Sequence, residues 1–177
     1  MVSLVGLVVL SPLLAVIALV ILCTSKGGPL FVQARIGRGE VPFKCVKFRT
    51  MSKGAPVSGS HEVAGHWITP VGRRLRSLKL DEFPQLYNVL LGQMSLVGPR
   101  PCLPSQKDVI EARRKLGVFA IRPGITGRSQ LASIDMSMPE FLAETDCKYL
   151  DTQTFAGDLG LILSTLIGRG RGDAAER

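Results

Sequence analysis

The sequence predicts an α+β fold that has an apolar helix at its N-terminus, a short β-hairpin after it and several helices in the remainder. Three observations support this prediction. The first 25 residues carry no charged side chain. Two short runs rich in Phe and Val then follow on either side of a Gly-containing turn, and beyond them proline and glycine divide the chain into short amphipathic segments.

The N-terminal segment, residues 1–25, is predicted to be a membrane helix. A helix from Val2 to Cys23 would be about 33 Å long, enough to match the hydrocarbon core of a bilayer, and no basic region precedes it as in a cleaved signal peptide. Ser11 and Pro12 interrupt its middle, and proline lacks the N–H that a helix needs there. The residues alone leave two interpretations open: a kinked spanning helix, and a re-entrant helix that turns near Ser11-Pro12 and leaves on the same side.

The net charge of +8 lies outside this apolar segment. Basic residues directly after an apolar segment place that flank in the cytoplasm and attract anionic lipid headgroups. A nucleic-acid partner is not expected, because aromatic residues are few and no binding motif is visible. The four cysteines form no C-x-x-C pair, and we expect reduced thiols at Cys23, Cys45, Cys102 and Cys147.

Residues 26–168 are predicted to form a cytoplasmic domain, and residues 169–177 a disordered tail. The spacing of apolar residues and the positions of glycine and proline predict strands over 30–36 and 41–50, followed by a mobile polar loop over 52–66. The same signals predict helices over 69–80, 84–92, 105–116, 138–150 and 159–167, with turns over 95–101 and 122–127. His61 and His66 fall in the polar loop, where solvated histidines are more common than metal ligands.

Asp81 and Glu82 are the most informative pair of residues. They precede Pro84, which is expected to open a helix, and backbone N–H groups at such a position attract anions. Mg²⁺ prefers one or two carboxylates together with substrate phosphate oxygens, and a carboxylate can also attack phosphorus. The alternative is that Asp81 caps a helix while Glu82 pairs with Lys79 or with an arginine.

The surroundings of this pair favour phosphate chemistry over a simple cap. Basic residues lie on its N-terminal side, at Arg73, Arg74, Arg76 and Lys79. On its C-terminal side Arg100 lies between Pro99 and Pro101, which restrict the backbone of Arg100 and the direction of its guanidinium. This arrangement suits recognition of phosphate, although a surface turn with a solvated arginine would have the same sequence.

An ordered set of motifs extends over the chain: Ser11-Pro12 within the apolar segment, GPLFVQARIG, VKFRTM, RSLKLDEFPQLYNVLLGQMSLVGPRP and IRPGITGRSQL. This set resembles the bacterial sugar transferase family, in its small single-domain form the monotopic polyprenyl-phosphate phosphoglycosyl transferases, from about Ser11 to Leu166. The resemblance implies transfer of a sugar-1-phosphate from a UDP-sugar to undecaprenyl phosphate, with release of UMP. It also implies that Ser11-Pro12 makes the membrane helix re-entrant and that residues 26–168 are the cytoplasmic catalytic domain.

The resemblance further implies a role for each matching residue. Asp81 would be the nucleophile that forms an aspartyl-phosphosugar intermediate, and Glu82 would help it to bind Mg²⁺. Phosphates would be bound by residues of the matching motifs, namely Arg76, Arg100 with Pro99 and Pro101, Lys47, Arg49, Arg122, Thr126 and Gln130. Lys79 occupies a position that usually holds a small or hydroxylated residue, so it could either lower the pKa of Asp81 or contact phosphate.

The expected location is the cytoplasmic face of the bacterial inner membrane, in contact with membrane lipid and in a glycoconjugate pathway such as exopolysaccharide synthesis. The donor sugar is not encoded in a readable motif, and the oligomeric state, with a homodimer as one alternative, is also open. A competing hypothesis is a non-catalytic basic membrane-surface protein that binds anionic or polyprenyl-phosphate lipid.

Overall fold

The computed structural model of the chain describes residues 2–56 and 65–167. The predictions for His61, for most of the polar loop and for the tail over 169–177 fall outside these residues. The helices are α1 Val2–Thr24, α2 Pro70–Ser77, α3 Leu86–Leu90, α4 Lys107–Lys115, α5 Arg128–Leu131, α6 Pro139–Thr152 and α7 Phe155–Leu166, and the strands are β1 Leu30–Ile36, β2 Pro42–Phe48, β3 Ser95–Val97 and β4 Gly124–Thr126. This mixture of helices and short strands confirms the predicted α+β class.

Helix α1 continues through Ser11 and Pro12 without interruption. Pro12 has no N–H to donate to the carbonyl of Val8, four residues earlier. The hydroxyl of Ser11 donates to that carbonyl at 2.7 Å instead, so the acceptor that proline leaves unused is satisfied. This matters in a bilayer, where no water replaces a missing hydrogen bond. The re-entrant path stays a prediction.

The faces of α1 have different surroundings. Ser3, Ile17 and Ile21 lie on one buried stripe, and this side packs against α2 and α3. The other faces expose large apolar side chains, at Leu4, Val5, Val8, Val9, Leu13, Val16, Leu19, Val20 and Leu22. By length and composition, Ser3–Thr24 is the one helix among the described residues that could cross a membrane.

The chain packs into two compact units. Among the described residues, the first unit contains 2–33, 45–56 and 65–90, and the second contains 34–44 and 91–167. The core of the first unit is formed by Ile17, Ile21, Phe48 and Leu75. The core of the second is formed by Ile36, Cys102, Val109, Ile110 and Leu142.

The predicted hairpin is present as the sheet of β1 and β2. The N–H of Gly37 donates to the carbonyl of Val41 at 3.0 Å and closes the turn. Gly39 and Glu40 both have φ of 63° there, a left-handed conformation that glycine adopts readily and glutamate rarely. Strand β2 ends at Phe48, two residues before the predicted end.

A second sheet was not predicted. Strands β3 and β4 pair in parallel, with Ser95 opposite Gly124 and Val97 opposite Thr126, so the prediction of turns over 95–101 and 122–127 is wrong for these residues. The two backbones approach so closely that a Cβ on Gly124 would lie 2.1 Å from the nitrogen of Gly98. Glycine is therefore required at this contact.

Helix α2 begins as predicted, with Thr69 accepting a hydrogen bond from the N–H of Gly72 at 2.9 Å. It ends at Ser77 rather than at residue 80, because Lys79 adopts a left-handed conformation with φ of 56°. A 3₁₀ turn, Leu80–Gln85, follows. Pro84 lies inside this turn, so the prediction that it opens the next helix is wrong.

Helix α7 turns polar side chains toward its own unit and large apolar side chains outward, which is the opposite of a helix on a water-facing surface. Its Asp158 accepts a hydrogen bond from the hydroxyl of Tyr149 at 2.8 Å, and its Thr165 shares a 2.6 Å hydrogen bond with Thr126. Its large apolar residues point outward, with Phe155 86% exposed. The other outward-facing residues at this end of the unit are Leu159, Leu163, Leu166 and Ile167.

Candidate active site

The two adjacent carboxylates lie on the 3₁₀ turn between α2 and α3. Asp81 is 2% exposed, whereas Glu82 is half-buried. Helix α3 follows the turn directly, and it is joined to β2 by Asn88, whose side-chain oxygen accepts a hydrogen bond from the N–H of Val46 at 3.0 Å. Strand β2 therefore fixes α3, and α3 in turn fixes the end of the acidic turn.

Lys79 precedes this turn in a strained backbone conformation. Burial lowers the pKa of its ammonium group, and the negative charge of Glu82 offsets part of that change. A lysine with a lowered pKa loses its proton more easily than an exposed one. Whether Lys79 contacts phosphate or acts on Asp81 stays a prediction.

Three of the predicted phosphate-binding residues, Lys47, Arg49 and Arg76, line one cleft of the first unit. The space within the cleft and its open mouth is about 540 Å³. Its lining also includes Gln33 and Thr50, both buried. Because cations are strongly attractive to anions where water is partly excluded, this cleft is suited to a phosphorylated ligand.

Thr50 is the residue that orients Arg76. Its hydroxyl accepts a hydrogen bond from Nε of Arg76 at 2.9 Å, and its carbonyl accepts one from the N–H of Thr69 at 3.0 Å. The start of α2 lies so close that a Cβ on Gly72 would be 2.1 Å from the Thr50 carbonyl oxygen. Thr50 thus ties β2 to α2 and sets the position of one guanidinium.

Arg76 is 6% exposed, and its Nη1 has no hydrogen-bond partner within residues 2–56 and 65–167. A buried guanidinium N–H without an acceptor is costly. An anionic oxygen in the cleft would supply that acceptor. This is the most specific structural indication of a ligand in the first unit.

Arg49 is engaged more fully with the protein. Its Nε donates to the carbonyl of Gly28 at 2.9 Å and its Nη2 to that of Leu30 at 3.1 Å. Its guanidinium also lies 5.8 Å from the centre of the Phe31 ring, within range of a cation–π interaction. Arg49 therefore organises the wall of the cleft in addition to contributing positive charge.

The remaining predicted residues lie in the second unit. The turn that contains Pro99, Arg100 and Pro101 leaves β3, and its backbone is joined to β4: Gly98 donates to the carbonyl of Thr126 and Gly124 donates to that of Pro99, both at 2.9 Å. Arg100 is half-buried, and Arg122 is exposed.

Thr126 and Gln130 make contacts within their own unit. The hydroxyl of Thr126 is hydrogen bonded to Thr165, and the side-chain amide of Gln130 donates to the carbonyl of Ile125 at 2.9 Å. These bonds hold the loop that supports the Arg100 turn. A substrate-binding role for either residue stays a prediction.

The structure thus brings Lys47, Arg49 and Arg76 to one cleft and places the two carboxylates on a turn of the same unit. Sequence reasoning did not identify Thr50 or Gln33 as parts of this cleft. Thr50 stands inside the VKFRTM motif, next to Arg49, so its position was a usable signal. Gln33 stands inside the GPLFVQARIG motif, so its position was a usable signal as well.

No group of three or more His, Cys, Asp or Glu side chains suited to a metal is found in the described part of the chain. A complete protein cage for a metal is therefore not present there. The pair formed by Asp81 and Glu82 nevertheless has the donor chemistry that Mg²⁺ uses when substrate phosphates and water complete its coordination. The residues fit that ion and do not fit a structural zinc site.

The other histidine and cysteine expectations agree with the structure where it describes them. His66 is exposed, with its ring 5.3 Å from that of Trp67. All four cysteines are free thiols. Burial raises the pKa of the Cys102 thiol, which makes it a poor nucleophile.

Comparison with known proteins gives a consistent result. The profile of the family described as "Bacterial sugar transferase" matches residues 1–170. The chain is 36% identical over 167 residues to the UDP-glucose:undecaprenyl-phosphate glucose-1-phosphate transferase of Caulobacter vibrioides, covering 88% of this chain and 62% of that protein. It is 34% identical over 182 residues to the exopolysaccharide production protein ExoY of Rhizobium meliloti, covering 92% and 79%.

A third relative has a different sugar in its name. The UDP-N-acetylgalactosamine-undecaprenyl-phosphate N-acetylgalactosaminephosphotransferase of Aeromonas hydrophila is 31% identical over 163 residues, which are 88% of this chain and 38% of that protein. The chain thus spans less than two thirds of the length of several of the transferases it matches.

Proposed function

Because the chain belongs to the bacterial sugar transferase family, we propose that it transfers a sugar-1-phosphate from a UDP-sugar to undecaprenyl phosphate and releases UMP. The single observation that carries the proposal is the cleft of the first unit, where the buried Arg76 has an Nη1 without a hydrogen-bond partner among the described residues. Lys47 and Arg49 line the same cleft. A phosphate group supplies the acceptor and the charge that this arrangement needs.

The proposed reaction has two displacements at one phosphorus atom. An oxygen of Asp81 attacks the sugar-linked phosphorus, the P–O bond to UMP breaks, and UMP leaves with that electron pair. The sugar phosphate is then bound to Asp81 as an acyl phosphate, a mixed anhydride of the carboxylate and the phosphate. An oxygen of undecaprenyl phosphate attacks the same phosphorus, the bond to the carboxylate breaks, and free Asp81 is restored.

The protein's contribution is to position and neutralise charged groups. Arg76, Lys47 and Arg49 bind phosphate oxygens and reduce the repulsion between an anionic nucleophile and an anionic donor. Burial of Asp81 limits the water that could hydrolyse the reactive acyl phosphate. Asp81 and Glu82 are the residues that would hold Mg²⁺, which supplies further neutralisation of phosphate charge when bound.

We also infer that the chain works at the cytoplasmic face of the inner membrane. The support is the apolar exposed surface of α1 and the net positive charge that lies outside that helix. The outward-facing apolar side chains of α7 are consistent with contact with lipid. A polyprenyl acceptor is confined to the membrane, so an enzyme that uses it must reach the interface.

The test is UMP release by the purified protein with undecaprenyl phosphate, Mg²⁺ and a panel of UDP-sugars that includes UDP-glucose and UDP-N-acetylgalactosamine. We expect release with at least one donor and its loss in Asp81→Asn. Asp151→Asn is the matched control, because Asp151 is an exposed aspartate of α6. Liposome binding without UMP release from any donor would favour the non-catalytic lipid-binding alternative.

A further inference from the structure

The second unit contains a buried ion pair that the reaction scheme above does not use. Arg113 of α4 is 2% exposed. Its Nε and Nη2 both donate to one oxygen of Asp146, at 3.0 and 2.7 Å. The other oxygen of Asp146 accepts a hydrogen bond from the hydroxyl of Ser129 at 2.5 Å.

The third nitrogen of the Arg113 guanidinium has a different hydrogen-bond acceptor. Nη1 of Arg113 donates to the backbone carbonyl of Arg100 at 2.8 Å. A buried ion pair contributes little to stability by itself, because removing two charges from water offsets their attraction. The ion pair does, however, fix the plane of the guanidinium, and so fixes the position of the N–H that holds the Arg100 carbonyl.

The neighbouring carbonyls of the same turn are held as well. Arg35, 8% exposed, donates from Nη1 to the carbonyl of Pro101 at 2.9 Å. The N–H of Ile36 donates to the carbonyl of Cys102, also at 2.9 Å. Three consecutive carbonyls, at Arg100, Pro101 and Cys102, therefore accept bonds from fixed donors.

The result is a turn with almost no backbone freedom. Proline on each side of Arg100 fixes φ at two positions and restricts the residue that precedes each proline. Together with the held carbonyls, this determines the direction of the Arg100 Cα–Cβ bond. A side chain that binds phosphate gains from such preorganisation, because less freedom is lost on binding.

We propose that Arg113, held by Asp146, is a positioning residue that directs the side chain of Arg100 toward a phosphate of the substrates. The proposal rests on the function proposed above. Lysine cannot replace arginine in this role, because one ammonium group cannot present three N–H donors in a plane toward two separate acceptors.

The test is a double-mutant cycle with Arg113→Lys and Arg100→Ala, read out as kcat/KM for UMP release and as thermal stability. We expect Arg113→Lys alone to lower kcat/KM by about 10- to 100-fold, the order of loss that follows when a positioned group is displaced by about 1 Å. In the Arg100→Ala background the same change should alter kcat/KM by less than about twofold, because no directed guanidinium remains to be misplaced. The loss of thermal stability should be similar in both backgrounds.

The control is Arg114→Lys, in the next residue of α4. Arg114 also makes a paired contact, with both oxygens of Glu40 at 2.8 and 2.6 Å, but at an exposed site. We expect Arg114→Lys to leave kcat/KM unchanged. Hydrogen exchange over residues 97–103 gives a readout that does not depend on turnover, and Arg113→Lys should accelerate it.

Three results would overturn the proposal. The first is an equal loss of kcat/KM from Arg113→Lys in both backgrounds, which would assign Arg113 to general stability. The second is unchanged hydrogen exchange over 97–103, and the third is full activity of Arg113→Lys despite faster exchange. If the wild-type chain releases no UMP, the proposed function itself fails, and a positioning role in that reaction fails with it.

Discussion

Replacing Thr50 with valine tests the organisation of the cleft. Thr50→Val keeps the size and branching of the side chain but removes the hydroxyl that accepts a hydrogen bond from Nε of Arg76 at 2.9 Å. Arg76 is 6% exposed and Thr50 is 3% exposed, so water cannot easily replace the lost acceptor. A hydrogen bond to a charged group contributes about 1.5–3 kcal/mol to folding.

This loss can be measured as a shift in melting temperature. For a chain of this size, about 1 kcal/mol corresponds to about 2–4 °C, so Thr50→Val should lower Tm by roughly 3–12 °C in detergent. The backbone bond from Thr69 to the Thr50 carbonyl is unchanged by the substitution, and α2 should remain folded. Because Arg76 is no longer held, kcat/KM for the UDP-sugar should fall by about tenfold or more.

Thr145→Val is the matched control for this prediction. Thr145 is also buried, at 8% exposure, but its hydroxyl donates only to the carbonyl of Phe141 within α6. That carbonyl retains its helical partner, so we expect at most about 1 kcal/mol of destabilisation and no change in kcat/KM. A Thr50→Val protein with normal kcat/KM and normal Tm would refute the assignment of Thr50 as the residue that orients Arg76.

Three further predictions concern the second unit. Gly98→Ala places a Cβ 2.6 Å from the carbonyl oxygen of Arg122 and should lower the free energy of unfolding by about 1–3 kcal/mol or more, measured by thermal denaturation. Burial and the hydrogen bond to Asp158 raise the pKa of Tyr149, so the native state favours the protonated phenol. The stability that the protonated phenol contributes is present below about pH 10 and is lost as pH rises above that value. Tyr149→Phe should be less stable at pH 8 and should show a smaller further fall in Tm toward pH 11. Leu163→Glu should weaken binding to anionic liposomes in a sedimentation assay, because Leu163 is 54% exposed on the apolar face of α7.

Each of these predictions has an outcome that contradicts it. A wild-type Tm for Gly98→Ala would mean that β3 and β4 can move apart without lowering the free energy of unfolding. Equal loss of Tm at high pH in Tyr149→Phe and wild type would assign the alkaline transition to another group. Liposome binding by Leu163→Glu at the wild-type level would exclude α7 from the lipid contact.

Local signals in the sequence were sufficient to predict the elements that depend on local interactions. The apolar run of α1, the hairpin around Gly37 and the Thr69 cap of α2 all lie where the pattern predicted them. Each depends on residues within a few positions, or on burial that shows directly as hydrophobicity. The acidic pair and the basic residues of VKFRTM were recognised for the same reason.

The features that sequence analysis missed depend on contacts between distant residues. Strands β3 and β4 have three residues each and pair across more than twenty-five positions of the sequence. Such short strands show no alternation of apolar and polar residues that would predict them. The end of α2 is determined by the left-handed conformation of Lys79, which lysine has no intrinsic tendency to adopt. Arg113 stands beside Arg114 and Lys115 in an ordinary basic helix end, and only the fold shows that it is the buried one.

The central claim is that the carboxylate of Asp81 becomes covalently attached to the sugar phosphate of the donor. Intact-mass analysis of the protein after incubation with the active UDP-sugar, without undecaprenyl phosphate, tests it most directly. We expect a mass increase equal to one sugar phosphate, absent in Asp81→Asn and lost when undecaprenyl phosphate is added. Product formation in a single turnover with no adduct on the wild-type chain, or the same adduct on Asp81→Asn, would contradict the claim.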